Sequence, residues 1–192
     1  MYLSTVQTFV MVALIIASGP VWSHRGDLNA VGCHNKKNVS KYNCHSNEFR
    51  SSPLCAYSGS YNRSEWKFRS SLSPVSELTV GWYTGVSGGP TDVDHVVSLK
   101  DAYLSGGYAW SVAKKSIFSN DPLNHVASVP YVNRTLKNAN VPLLFIEKVQ
   151  ASSYMFARGK CAEYVDLYVM VKQTYGLSFS NNDISAAKAE CD

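Results

Sequence analysis

The residues best placed to do chemistry lie between positions 92 and 133. Asp92-Val93-Asp94-His95-Val96-Val97 sets a carboxylate beside an imidazole, and Asn124 and Asn133 follow behind it. A histidine with a pKa near ~6.5 is mostly neutral at pH 7 and can take a proton from water. A hard cation such as Mg2+ prefers oxygen ligands and keeps several waters. Asp94 offers it a carboxylate oxygen and Asn133 a carboxamide oxygen. Asn124 can hold a loop or orient the His95 ring through its second nitrogen. Hydrolysis of a phosphodiester needs these functions: an activated water, stabilised charge on the phosphate, and help for the leaving oxygen. Singly, each residue has a plainer reading. A lone histidine on a strand usually just packs, and a lone asparagine near a turn usually shapes the turn.

The elements around these residues decide whether they can meet. Neighbouring strand residues point to opposite faces. Asp94 and His95 therefore serve one site only if the strand ends or bends there. The pattern predicts a strand over 92–99 and helical composition over 100–119, broken at Ser105-Gly106-Gly107. Asn120-Asp121-Pro122 stops that helix, because the residue before proline avoids helical geometry. A short strand over 124–129 follows, then a helix over 131–138 with Pro130 near its first turn. Upstream, Tyr61-Asn62-Arg63-Ser64-Glu65-Trp66-Lys67-Phe68-Arg69 interleaves aromatic with basic residues, and Trp66 and Phe68 alternate with Lys67 and Arg69. That alternation predicts a half-buried strand, with base stacking and phosphate contact as the alternative reading. A second strand is expected over 77–83. Downstream, Cys161, Tyr164, Val165, Tyr168, Val171 and Tyr175 recur at helical spacing, ended by Gly176. A last helix is expected over 183–190 with Asp183 near its N-cap.

The 192 residues suit one domain. The apolar run from Val6 to Ala17, the Gly19-Pro20 break and Val21-Trp22-Ser23 read as a secretory signal peptide cleaved after Ser23. The run is too short to span a bilayer, which takes about 20 residues. The expected organisation is a signal over 1–23, a cysteine-rich arm over 24–56 and a domain over 57–192, secreted into an oxidising environment. Cys33-His34 and Cys44-His45 repeat a Cys-His step, and Cys55 follows at the same interval. A zinc site and a disulfide-stapled arm both fit that pattern, and oxidation favours the disulfides. Five cysteines leave one over, free or paired with another chain. A net charge of +4 mildly favours approach to a polyanion.

Taken together, Asp92 to Leu99, Ala102, Ser105-Gly106, Trp110, Phe118-Ser119-Asn120-Asp121-Pro122-Leu123-Asn124 and Val132-Asn133-Arg134 resemble the HNH (ββα-metal) nuclease motif. They are similar in particular to the secreted HNH endonucleases related to the nuclease part of GmrSD-type restriction enzymes. The nine-residue interval from Asn124 to Asn133 also resembles the HNH domain of RNA-guided CRISPR nucleases. The likeness covers about residues 80–145, extends loosely through the helix ending near Gly176, and leaves out the N-terminal arm.

The resemblance implies an α+β fold: a ββα-metal (HNH, His-Me finger) core with additional helices and a disulfide-containing N-terminal arm. It implies a secreted, metal-dependent endonuclease acting on DNA, with RNA as a second substrate and little sequence preference. His95 would be the general base, with Asn124 supporting the catalytic geometry. Asp94 and Asn133 would bind the divalent cation, Mg2+ first and Mn2+ second. Arg134 and Lys137 would contact phosphate. An inactive nucleic-acid-binding module on the same fold is the alternative. Three departures stand out. Ser98 replaces the usual proline, and Lys137 follows Asn133 by four residues rather than three. Asn133-Arg134-Thr135 is also an N-glycosylation sequon, as are Asn38-Val39-Ser40 and Asn62-Arg63-Ser64. A glycan on Asn133 would consume the amide that the metal needs.

Overall fold

The computed structural model describes residues 60–138 and 141–191, with the backbone of two short strands before them. Those strands, β1 (Cys33–Asn35) and β2 (Tyr42–Cys44), pair antiparallel with Cys33 opposite Cys44. The expected signal peptide and the choice between zinc and disulfides in the arm lie outside the described residues.

The expected α+β class holds: helices surround a small two-stranded antiparallel sheet. β3 (Asp92–His95) pairs with β4 (His125–Ser128), and His95 lies opposite His125. Between them run α1 (Leu99–Leu104), a 3-10 turn at Gly107–Ala109, and α2 (Val112–Ser119). After β4 comes a π-helix, Val132–Lys137, then α3 (Pro142–Gln150), α4 (Lys160–Tyr175) and α5 (Asn181–Ala189).

Local chemistry explains most boundaries. The Oγ atoms of Ser98, Ser111 and Ser180 accept from the backbone N–H three residues on, capping α1, α2 and α5. Ser98, which departs from the family pattern, is thus a helix cap. Gly176 ends α4 with φ +66, a left-handed conformation that suits glycine. Phe145, Ile146, Tyr164, Val165 and Tyr168 bury α3 and α4 in one core with Trp66, Tyr83 and Phe118. The Cys161–Cys191 disulfide ties the start of α4 to the chain end after α5. No helix among the described residues is long and apolar enough to cross a membrane.

Three expectations need correction. Residues 61–69 form no strand: Arg63–Trp66 and Ser70–Leu72 are 3-10 turns. Trp66 is buried by the aromatic rings of Trp110 and Phe118 rather than by a sheet face. Over 77–83 only Val80 makes a bridge, to Ser87. The chain turns there because the Gly85 N–H bonds the Gly81 carbonyl at 2.7 Å. A side chain at Gly81 would press within 2.8 Å of Val129, so only glycine lets this turn lie against β4. Finally, β3 stops at His95, and Leu99 already belongs to α1. Helix α3 escaped the sequence reading, and the last helix starts two residues early, capped by Ser180 instead of Asp183.

Candidate active site

The end of β3 resolves the geometric tension of the Asp-His pair. Asp94 and His95 are each only 5% exposed, and both line one pocket of about 470 Å3. They reach it through different neighbours. Asp94 meets Tyr83 and Lys137, whereas His95 packs against Phe68 and His125.

The His95 ring is held from the far side of the fold. Its Nε2 lies 2.8 Å from the carbonyl oxygen of Ser119, the last residue of α2. The last four carbonyls of a helix lack intrahelical partners, so this oxygen is available, and His125 Nε2 shares it at 3.0 Å. A carbonyl can only accept. Both rings therefore carry their proton on Nε2, and each Nδ1 keeps a lone pair. The Ser73 hydroxyl occupies Nδ1 of His125 at 3.0 Å. Nδ1 of His95 has no hydrogen-bond partner among the described residues. Burial lowers the His95 pKa to about 3, outweighing the Ser119 carbonyl, which favours the charged form. The ring is a neutral base with its acceptor nitrogen unclaimed.

Asp94 is arranged to keep one oxygen open. Tyr83 donates its hydroxyl to Oδ2 at 2.8 Å, and the Lys137 ammonium lies 3.6 Å from the same oxygen. Oδ1 has neither partner. Burial raises the Asp94 pKa, while Lys137 and the Tyr83 hydroxyl oppose that rise. Asn133 lines the same pocket from the π-helix. Its amide nitrogen donates to Asp92 Oδ2 at 3.1 Å. That bond fixes which way the amide faces and leaves Oδ1 as the unpaired acceptor.

Asn124 lies apart from the pocket. It is fully buried, with Oδ1 accepting from the Val97 N–H at 2.8 Å and Nδ2 donating to the Val97 carbonyl at 3.1 Å. Its own carbonyl accepts from Val96 N–H at 2.9 Å. Three bonds clamp the chain leaving β3 to the start of β4. Asn124 therefore fixes the backbone that follows His95 and does not line the pocket.

The two expected phosphate contacts fare differently. Lys137 is buried, 1% exposed, and donates to the His95 carbonyl at 2.6 Å. Its ammonium is committed to that carbonyl and to Asp94, and Lys137 does not line the pocket. Arg134 is exposed but forks onto Asp92, at 2.8 Å from Nε and 2.6 Å from an outer guanidinium nitrogen. Three of its five N–H groups remain for another partner. Two further cations reach the pocket, Arg63 and Lys100, both exposed. Arg63 belongs to the aromatic-basic segment 61–69, whose alternative reading is base stacking and phosphate contact, whereas Lys100 is not singled out in the sequence. His125 was legible only through antiparallel pairing, which sets it opposite His95.

The oxygens of Asp94 and Asn133 suit a hard cation that fills its shell with water. Among the described residues, no group of three or more His, Cys, Asp or Glu forms a metal cage. A cation held here would rest on two protein oxygens of unlike charge.

No family model matches this sequence, and no curated protein or solved structure matches it.

Proposed function

We propose that this chain is a secreted, divalent-cation-dependent endonuclease with a ββα-metal (HNH) core, hydrolysing phosphodiester bonds of DNA, with RNA as a second substrate. The observation that carries the reading is the open Nδ1 of a neutral His95 in the same pocket as an open carboxylate oxygen on Asp94. The chain order β3, β4, π-helix, with Asn133 on the helix, supports it.

In this reading Nδ1 of His95 takes a proton from a water as that water's oxygen forms its bond to phosphorus. The bond from phosphorus to the 3′ oxygen breaks in line, and solvent protonates the departing oxygen. Products with a 5′-phosphate and a 3′-hydroxyl follow. The Ser119 carbonyl keeps the imidazole in the required tautomer throughout. When the imidazolium forms, that carbonyl stabilises it. Asp94 and Asn133 would hold Mg2+, with Mn2+ the second choice, and such a cation would supply positive charge that offsets the charge on the phosphate and the leaving oxygen. Arg63, Lys100 and Arg134 at the pocket wall favour a polyanion, so activity falls as salt rises.

One observation favours a second reading. The Lys137 ammonium already places a positive charge beside Asp94, which suits a module that binds phosphate without cleaving it. Plasmid incubated with the purified chain in Mg2+ or in EDTA, beside His95→Ala, separates the two. Cleavage in Mg2+ alone, lost in the variant, is expected. Equal cleavage by the variant, or none by the wild type, rejects the mechanism.

A further inference from the structure

One part of the pocket wall takes no part in the proton transfer or the cation binding above. It is built from Tyr61, Arg63 and Phe68, with Lys100 at the start of α1. The Tyr61 ring is held edge-on to Tyr103 at 5.7 Å and tilted against Trp66 at 6.4 Å, so its position is fixed by packing. Arg63 lies close enough to the Tyr61 hydroxyl for its charge to oppose the rise that burial causes in the Tyr61 pKa, which places a guanidinium beside an aromatic ring. Phe68 stands edge-to-face on His95 at 4.5 Å and so joins this wall to the base. Aromatic rings interleaved with cations are what a single strand recognises: bases stack and the backbone pairs with positive charge.

Depth adds a second constraint. The open atoms of Asp94 and His95 belong to residues 95% buried. A pocket of about 470 Å3 falls within the range of sites that enclose a small molecule, so it has room for a nucleoside beside the phosphate. In a duplex each phosphate is flanked by stacked neighbours on a regular backbone. Lowering one phosphate to the floor means unstacking the step, whereas a single strand bends there at little cost. The elements bordering the pocket are β3, 3-10 turns, the six-residue α1 and the π-helix, none of which is a long helix for the major groove.

We propose that Tyr61, Arg63, Phe68 and Lys100 form a nucleotide subsite that makes this pocket select single-stranded nucleic acid over duplex. The proposal rests on the phosphodiester-hydrolase reading. It is tested with the full chain in Mg2+, using one labelled oligodeoxynucleotide alone and annealed to its complement, beside bis(p-nitrophenyl) phosphate as a diester without a base. The single strand is expected to be cleaved at least about tenfold faster than the duplex. Tyr61→Ala should bring that ratio toward one, and Tyr61→Phe, which keeps the ring, should restore it. Arg63 is exposed, so Arg63→Gln tests the wall without threatening the fold. It should slow single-strand cleavage more than duplex cleavage and flatten the salt dependence. Equal rates on the two substrates, or an unchanged ratio in Arg63→Gln or in folded Tyr61→Ala, overturn the subsite. Cleavage of the small diester but of neither oligonucleotide overturns it while leaving a hydrolase. No cleavage of any of the three removes the hydrolase reading and the subsite together.

Discussion

The amide nitrogen of Asn133 donates to Asp92 Oδ2 at 3.1 Å, and the Arg134 fork holds Asp92 from the other side. Asp92 thereby decides which end of the Asn133 amide is left for a ligand. Partners that orient a metal ligand commonly change affinity by about 10–100-fold when removed. Asp92→Ala should weaken Mg2+ binding by that order, measured by calorimetric titration, while the fold persists because the half-buried Asp92 side chain bonds Asn133 and the exposed Arg134 rather than core groups. Unchanged affinity in Asp92→Ala would show that Asn133 orients itself or binds no metal.

Asn124 should matter for stability before it matters for rate. Asn124→Leu removes both side-chain bonds to Val97 and leaves the Val97 N–H and carbonyl buried without those partners. Each buried unsatisfied group costs about 1–3 kcal/mol, so urea unfolding should show a loss of about 2–5 kcal/mol. A loss under about 1 kcal/mol would mean that the clamp is not what holds the end of β3.

Lys137 should behave as a buried counter-charge. Lys137→Met leaves Asp94 buried without its cation, and breaking such pairs costs about 3–5 kcal/mol. The metal-free variant should unfold correspondingly earlier. Mg2+ should stabilise it more than it stabilises the wild type, because the open carboxylate then lacks a competing ammonium. A variant as stable as wild type in EDTA, and weaker only toward nucleic acid, would return Lys137 to the phosphate role.

The two histidines make folding of the metal-free chain acid-sensitive. Both pKa values are lowered by burial, that of His95 to about 3. The unfolded chain therefore binds more protons once pH drops below its histidine value of about 6.5. The stability due to each neutral ring is complete above about pH 6.5 and is lost as pH falls toward the folded pKa. For His95 the slope approaches about 1.4 kcal/mol per pH unit. Asp94, whose pKa is raised, binds its proton more readily when folded and acts in the opposite sense in acid. Urea titrations in EDTA at successive pH values should show the fall, with a shallower slope in His95→Gln. Parallel profiles for wild type and His95→Gln would mean that the ring is not held neutral.

The sequons at Asn62 and Asn133 should part company when the chain passes through a eukaryotic secretory pathway. Asn62 is exposed, and its Oδ1 accepts from Ser64, so its amide nitrogen is left free for a sugar. The Asn133 nitrogen is bonded to Asp92 on a helix. Peptide mass spectrometry should find a glycan on Asn62 and none on Asn133. Heavy occupancy of Asn133 would rule out an active metal site that uses its amide.

The sequence alone singled out Asp94, His95, Asn124 and Asn133 as candidates, because their order along the chain carries the pattern. It also located β4 and α4 closely, since local alternation and helical spacing report burial on one face. The boundaries that failed were those set by distant partners. The 61–69 segment alternates like a strand, yet Trp66 finds its burial among rings from α2 and the 107–110 turn rather than on a sheet. Tertiary structure alone decided which nitrogen of His95 stays open, through a helix-end carbonyl 24 residues away. It also turned Lys137 inward and Arg134 onto Asp92. Residue type states what a group can donate or accept. Which of its atoms is already occupied depends on neighbours brought together only by folding.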